Sequence, residues 1–451
     1  MRNKSSLLFL LILCASLGSI GAPRVVLAQA QSQACPDLSA FYTDSEPDWA
    51  QMRTALAGIF SRCLRSSEFF ALYGAAQLYS GQLAQAIESL ERSLLLDPDN
   101  GAALVDYGEA LYQDGQLFTA IEINDLLLER QDIPPNLVGQ IESRQNRWQS
   151  LTRQTSWTLD VLGGYDDNLN GASDQDSITL TLSGEPVILN LSEEFQVVSG
   201  PLLNARFQGT HRRLSVDSQE TFTGEVRTRL SEDSNSNLAQ VSGRYSISRA
   251  NRPGSWQLST GLNHLYFSND PLFTALDAEL RYRLPQSDYC QPHYGLALQH
   301  QTWHNQSRLN GVESRLALGS NCSLPNRPNQ RFNAELSLLH NSELKQDRLG
   351  GSREGWQMSV GWQSALSRGL LLAQLSHTRI RDRRGYSPLL ANNARRDISR
   401  NAFFLQYREN LPALGNRAQL IVNFFHQDQN SNLDLFQTDD TTAEIGVSWR
   451  F

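Results

Sequence analysis

The sequence predicts an α-helical repeat domain followed by an antiparallel transmembrane β-barrel of about fourteen strands. Three observations predict it. The last ten residues alternate without a break, with Ala443, Ile445, Val447, Trp449 and Phe451 on one side and Thr442, Glu444, Gly446, Ser448 and Arg450 on the other. A side-chain period of two puts these sets on opposite faces of one strand. From Thr155 onward fourteen segments alternate in this way, and apolar-out, polar-in strands of roughly ten residues are the signature of a membrane barrel. Upstream, residues 67–134 repeat with a period of 34, the period of stacked helix pairs.

The chain starts with Arg2 and Lys4, an apolar run from Leu7 to Leu13 and an Ala28-Gln29-Ala30 site, which together predict a cleaved secretion signal over 1–30. Neither Cys14 nor Cys35 has a lipobox before it. No later segment approaches the 18 or so apolar residues of a membrane helix, so any spanning must be done by strands. Without Arg2, Lys4 and Arg24 the 39 basic residues become 36 against 47 acidic ones, a net charge of −11. An acidic chain with no basic run is a poor nucleic-acid binder. The mean hydropathy of −0.40 excludes a helical membrane protein and suits a barrel, because half of every strand is polar.

The helical domain is expected over 31–153. One repeat has Phe70, Tyr73, Gly74, Gly81, Ala86, Leu90 and Pro98; the next has Leu104, Tyr107, Gly108, Gly115, Ala120 and Leu127 in phase, with Pro134 close behind. These positions resemble a tetratricopeptide repeat, in which small residues let paired helices approach and aromatics fill the gaps. The match fades at Asn124, which replaces a large apolar residue. Flanking helices are expected over 48–63 and 136–152. The phase puts Glu68, Ala71, Leu78, Tyr79, Val105, Glu109, Tyr112 and Gln113 on the concave face, which is either a structural spacer or a docking groove for an extended peptide.

The barrel is expected over 154–451, with strands at 155–166, 200–212, 217–230, 237–249, 255–268, 273–284, 291–303, 311–322, 330–342, 355–365, 370–380, 399–409, 417–428 and 440–451. Trp356 and Trp362 bracket Met358 and Val360 as an interfacial girdle requires. An even strand count puts both barrel ends in the periplasm and the long connections 166–199 and 381–398 outside the cell. The opposite strand faces carry Arg206, Glu225, Arg227, Arg229, Asp277, Glu279, Arg281, Arg283, Arg315, Glu335, Arg408, Glu444 and Arg450. Charges at this density face the lumen, as a wet channel or as a mutually paired plug.

Four cysteines remain after signal cleavage, and their spacing suggests two disulfides, Cys35–Cys63 and Cys290–Cys322, the second across a hairpin centred near residue 306. No C-x-x-C or neighbouring histidine cluster supports a metal instead. His264, His300, His340, His377 and His426 share outward parity near one end of alternate strands. Alternate strands lie roughly 10 Å apart, too far for shared ligation, so an interfacial belt is expected.

Gly164 to Ala172 (GYDDNLNGA, with Tyr165, Asp166, Asp167, Asn168 and Asn170), then Arg395-Arg396-Asp397, then Asn410 to Gly415, then Ser431-Asn432-Leu433-Asp434-Leu435-Phe436 and the terminal Phe451 resemble the surface lipoprotein assembly modifiers of Gram-negative bacteria. That family also joins tetratricopeptide repeats to a barrel. The resemblance implies a non-enzymatic translocon in the outer membrane, with its helical domain in the periplasm, that moves a lipoprotein or related polypeptide to the cell surface. It would act as a monomer amid outer-membrane lipid and lipopolysaccharide, with no cofactor. The alternative is an exopolysaccharide-export porin with a tetratricopeptide docking domain. A barrel enzyme is disfavoured, because no G-x-S-x-G, Walker A or H-E-x-x-H motif is present and outward histidines are badly placed for catalysis.

Overall fold

The structure is a computed structural model that describes residues 34–42, 47–251 and 253–451; the expected secretion signal lies outside the described residues. The chain divides into two compact units that meet between Ile141 and Glu142.

The helices of the first unit are α1 (Trp49–Ile59), α2 (Ser67–Tyr79), α3 (Leu83–Leu96), α4 (Gly101–Gln113) and α5 (Leu117–Leu128), and α6 (Pro135–Leu151) runs across the division. Asp48, Ser66 and Asn100 cap α1, α2 and α4, each side chain accepting from the backbone N–H three residues on. The stops repeat as well. Gly81 and Gly115 both have φ +82°, which glycine adopts without penalty. Gln82 then donates to the Gln77 carbonyl and Gln116 to that of Leu111, the same C-terminal wrap one repeat apart.

Ala71, Leu78, Ala86, Leu90, Ala103 and Ala110 form the core of the first repeat. A Cβ on Gly74 would sit 2.6 Å from Leu90 Cγ, so the pair α2/α3 packs closely because Gly74 has none. Asn124 is fully buried, and its amide donates to the Ile141 carbonyl at 3.1 Å. The fading position is therefore a polar tie between α5 and α6. Cys35–Cys63 is bonded beside Leu56, Phe69 and Phe70.

The second unit is a closed antiparallel barrel of 14 strands. They are β1 (Arg153–Asp166), β4 (Gly200–Leu214), β5 (Ser218–Ser231), β6 (Leu238–Asn251), β7 (Gly254–Phe267), β8 (Asp270–Arg283), β9 (Cys290–Trp303), β10 (Gly311–Leu324), β11 (Arg327–Glu343), β12 (Arg353–Ala365), β13 (Gly369–Asp382), β14 (Asp397–Asn410), β15 (Ala418–Ser431) and β16 (Thr438–Arg450). A further hairpin, β2 (Ser177–Leu182) and β3 (Glu185–Asn190), stands inside the connection after β1. Consecutive barrel strands pair, and β1 closes the ring on β16. That closing ladder has nine paired positions, whereas the others have eleven to fourteen.

Leu276, Leu280, Leu296, Leu298, Leu316, Leu318, Leu336, Leu338 and Ile445 are all about half exposed on the barrel exterior. Such a continuous apolar belt is unstable in water and is what a bilayer covers. Short turns lie at the end where β1 begins, and the long connections 167–199, 344–352 and 383–396 lie at the other. Cys290 and Cys322 face each other in register at the short-turn end and are bonded. Thiol-trapping mass spectrometry of membrane-extracted protein should recover this linked pair. Two free thiols, or one joined to Cys35 or Cys63, would contradict the register.

Candidate functional sites

In the helical unit the concave face is narrower than the sequence phase suggests. Leu78 and Ala71 are buried in the first-repeat core, packed with Ala86 and Leu90 of α3 and Ala103 and Ala110 of α4; they are not groove-lining residues. Glu68, Tyr79 and Gln113 are exposed, and Glu109 and Tyr112 are half-buried. Tyr79 packs on Trp49 at 4.8 Å and donates to Asp106 Oδ1 at 2.9 Å, tying α2 to α1 and α4. Gln113 donates to Glu109 at 3.1 Å, one turn earlier on α4. On the same helix, burial and then the adjacent Glu91 carboxylate push the Tyr107 phenol up to about 12, so it stays a donor to Glu91 at 3.0 Å.

The barrel interior is charged and mutually paired. Arg206 meets Asp160 at 2.5 Å, Arg229 meets Asp166 at 3.2 Å and Arg244 meets Asp277 at 2.9 Å, while Arg281 bridges Glu279 at 2.7 Å and Glu335 at 3.6 Å. Glu444 accepts from Asn204 at 2.9 Å and Asn423 at 3.0 Å. Because β16 has β1 and then β4 on one side and β15 on the other, these bonds bridge the closing seam from within. They surround a cavity of about 460 Å³ lined by four arginines, four carboxylates, Phe404 and Phe425. The interior is therefore a paired network around cavities.

The motif residues of the sequence gather at the long-connection end. Asp166 and Asn168 are buried; Asn168 donates to the carbonyls of Ala172 and Asp439, and Asn170 to that of Gln196. Thr441 N–H donates to Asp167. Asn432 donates to the Arg395 carbonyl and accepts from Asp397 N–H, and Ser431 accepts from Leu433 N–H. Three sequence-distant connections are thus stitched together. Among the described residues, Asp166, Asp167 and Asp440 bring ligand atoms within 4.8 Å of one another, and the Arg229 guanidinium supplies the counter-charge there. Asn410–Gly415, at the short turn between β14 and β15, and Phe451 lie at the opposite end, where Phe451 is bonded to Trp157 through backbone atoms.

Sequence reasoning missed the second anchor at this end. The Asp382 carboxylate is fully buried and meets Arg396 at 3.2 Å and Arg353 at 3.5 Å. Arg396 lies between the rings of Tyr386 at 4.7 Å and Phe436 at 4.5 Å. Arg348 completes the cluster; burial pushes its guanidinium down, against the pull of Asp382. The β2/β3 hairpin docks here too, with Thr181 N–H donating to the Leu389 carbonyl at 2.8 Å and Thr179 N–H to Asp434 at 3.2 Å. The signal for that hairpin was present. Ile178, Leu180 and Leu182, then Val187 and Leu189, alternate around Ser183-Gly184, both at positive φ.

Three of the five outward histidines have side-chain partners close by. His264 contacts Thr274 at 2.7 Å, His377 contacts Asn401 at 2.7 Å and lies 5.0 Å from the Trp356 ring, and His426 contacts Thr441 at 3.1 Å.

Residues 77–133 match the tetratricopeptide repeat family. No match to a curated protein was found. Among solved structures, an anion-selective porin from Comamonas acidovorans is 11% identical, with a TM-score of 0.35 over 66% of this chain and 99% of the porin. A bacterial polysaccharide outer membrane secretin is 10% identical, with a TM-score of 0.34 over 65% and 98%. The Yersinia enterocolitica type III secretion chaperone SycD, crystallised with a peptide of the translocator YopD, is 20% identical, with a TM-score of 0.21 over 23% and 81%. None of these likenesses bears on what this chain carries.

Proposed function

We propose that this protein is an outer-membrane translocon that moves a lipoprotein or related secreted polypeptide from the periplasm to the cell surface, with its tetratricopeptide domain in the periplasm as the client's docking site. The observation that carries the reading is the meeting of the family-like motifs. The segment 164–172 lies more than two hundred residues before 395–397 and 431–436, yet hydrogen bonds from Asn168 to Asp439, from the adjacent Ser173 to Asp434, and between Asn432 and both Arg395 and Asp397 gather all three at one end of the barrel. The orientation follows from the short turns, which face the periplasm in outer-membrane barrels. Docking on a domain tethered to the barrel raises the local concentration of an extended client, since a tethered second encounter is effectively intramolecular.

Tyr79 and Tyr112 occupy the last turns of α2 and α4, and aromatics supply most of the energy at such sites. Replacing both with Ser should lower surface display of the client roughly tenfold, the effect of losing about 1.4 kcal/mol of binding. The readout is surface labelling in whole cells, normalised to folded barrel. Unchanged display would remove the docking role. Unchanged display in a strain lacking the whole protein would remove the translocon reading, and lost surface polysaccharide would instead favour an export porin.

A further inference from the structure

A row of glycines crosses the lipid-facing side of the barrel. The strand register sets Trp157, Gly209, Gly224 and Gly243 side by side on β1, β4, β5 and β6, with the same outward parity as Phe207, Phe222, Val226 and Val241. The Trp157 ring lies over Gly209, where a Cβ would be 2.3 Å from it, while nothing lies within 4 Å of a Cβ placed on Gly243. The result is an apolar groove of about 310 Å³, walled by the stacked rings of Trp157 and Phe207, by Phe222 and by Val226 and Val241. A belt of ordinary side chains would have filled it.

Charge lies at one end of this groove. Two residues nearer the short turns, Thr155 and His211 are paired and in contact at 2.8 Å. Two residues further, Arg153 and Arg213 stand directly opposite each other, both exposed. Among the described residues neither has an ion pair or a side-chain hydrogen bond, although Glu220 is next in the row. Like charges directly opposed across a ladder are destabilising unless an anion lies between them. The arginine row is four residues from the glycine row, about 13 Å along the strand. That spacing matches a lipid whose phosphate sits at the headgroup level and whose chain runs into the hydrocarbon.

We propose that this groove binds one acyl chain of a phospholipid whose phosphate is held by Arg153 and Arg213. Short turns of such barrels face the periplasm, which places the site in the phospholipid leaflet. The proposal depends on the barrel lying in a bilayer and not on what it exports.

The test is native mass spectrometry of the full-length protein released from nanodiscs of phosphatidylethanolamine with phosphatidylglycerol as the minor lipid. The wild type should retain one phospholipid, enriched in phosphatidylglycerol. The double variant R153Q/R213Q should lose that enrichment by roughly twenty-five-fold, given that each interfacial arginine is worth about a factor of five. Gly224→Leu, which fills the groove, should lose the retained lipid, and Ala334→Leu on the far wall should keep it. Heat-modifiable migration confirms that each barrel is folded, and the arginine variant carries the test if Gly224→Leu does not fold. No retained lipid on the wild type, equal retention in all variants, or equal loss in Ala334→Leu would overturn the proposal. Displacement of the phospholipid by a diacylated-cysteine lipopeptide at equal concentration would also overturn it, since the occupant would then be a protein's lipid anchor.

Discussion

Deleting Phe451 should cut the yield of folded barrel severely, far beyond what its side chain contributes by burial. The ring is 58% exposed, so little apolar area leaves water when the chain folds. The backbone matters more. Phe451 N–H donates to the Trp157 carbonyl at 2.8 Å and its carbonyl accepts from Trp157 N–H at 3.1 Å. These two bonds extend the closing ladder, which has only nine paired positions, and together they contribute about 2 kcal/mol. A barrel closes all at once or leaves two edges exposed in lipid, where an unpaired backbone group is especially costly. The terminal aromatic also resembles the signal by which outer-membrane proteins are recognised for assembly. Heat-modifiable gel migration of membranes from the deletion strain measures the folded fraction. Phe451→Ala separates the two causes, since it keeps both backbone bonds and removes the ring. If the deletion gives wild-type levels of folded barrel, neither cause operates.

Most of the barrel was legible because its signal is local and periodic. The fifth strand was expected at 255–268 and found at Gly254–Phe267; the last, expected at 440–451, runs Thr438–Arg450. Side-chain parity alone put Arg206, Glu225 and Glu444 in the lumen, because a one-residue slip would turn every one of them toward lipid. The helical repeat was legible for the same reason, since Gly81 and Gly115 mark equivalent stops. What depends on pairing across strands was not. Gly209, Gly224 and Gly243 form a row only once two registers are known. Leu78 looked like groove because the repeat phase cannot tell which side of a helix its neighbours cover. Asn124 looked like a decayed repeat position because its partner is a backbone carbonyl on α6. Asp382 gave no signal, as its partners Arg353 and Arg396 belong to different strands and connections.

That buried carboxylate sets the last expectation: Asp382→Ala should destabilise the long-connection end by about 3–5 kcal/mol, the cost of leaving buried charge without its partner. The Asp382 side chain is 0% exposed and that of Arg396 only 7%, so water cannot take over the counter-ion's role. Three guanidiniums, Arg348, Arg353 and Arg396, would then repel one another in a site that shields them poorly. The damage should spread, because Arg396 also fixes Tyr386 and Phe436 and the 383–396 connection carries the Leu389 carbonyl that holds β2. Gly350 belongs to the same unit; a Cβ there would sit 2.1 Å from Asp382 Oδ2, so its connection can reach the carboxylate only without a side chain. The control is Asp397→Ala. Asp397 pairs with Arg379 and Arg381 at 3.0 and 2.6 Å, but those arginines are 50% and 55% exposed, and exposed pairs contribute about 0–1 kcal/mol. The heat-modifiability midpoint of Asp382→Ala should therefore fall by roughly 10 °C, at 2–4 °C per kcal/mol for a domain of this size. Asp397→Ala should stay near wild type. Protease added to whole cells should cut the 383–396 connection of the Asp382 variant first, because ordering there depends on the charge cluster. If the two variants lose stability equally, burial of the Asp382 cluster is not what holds this end together.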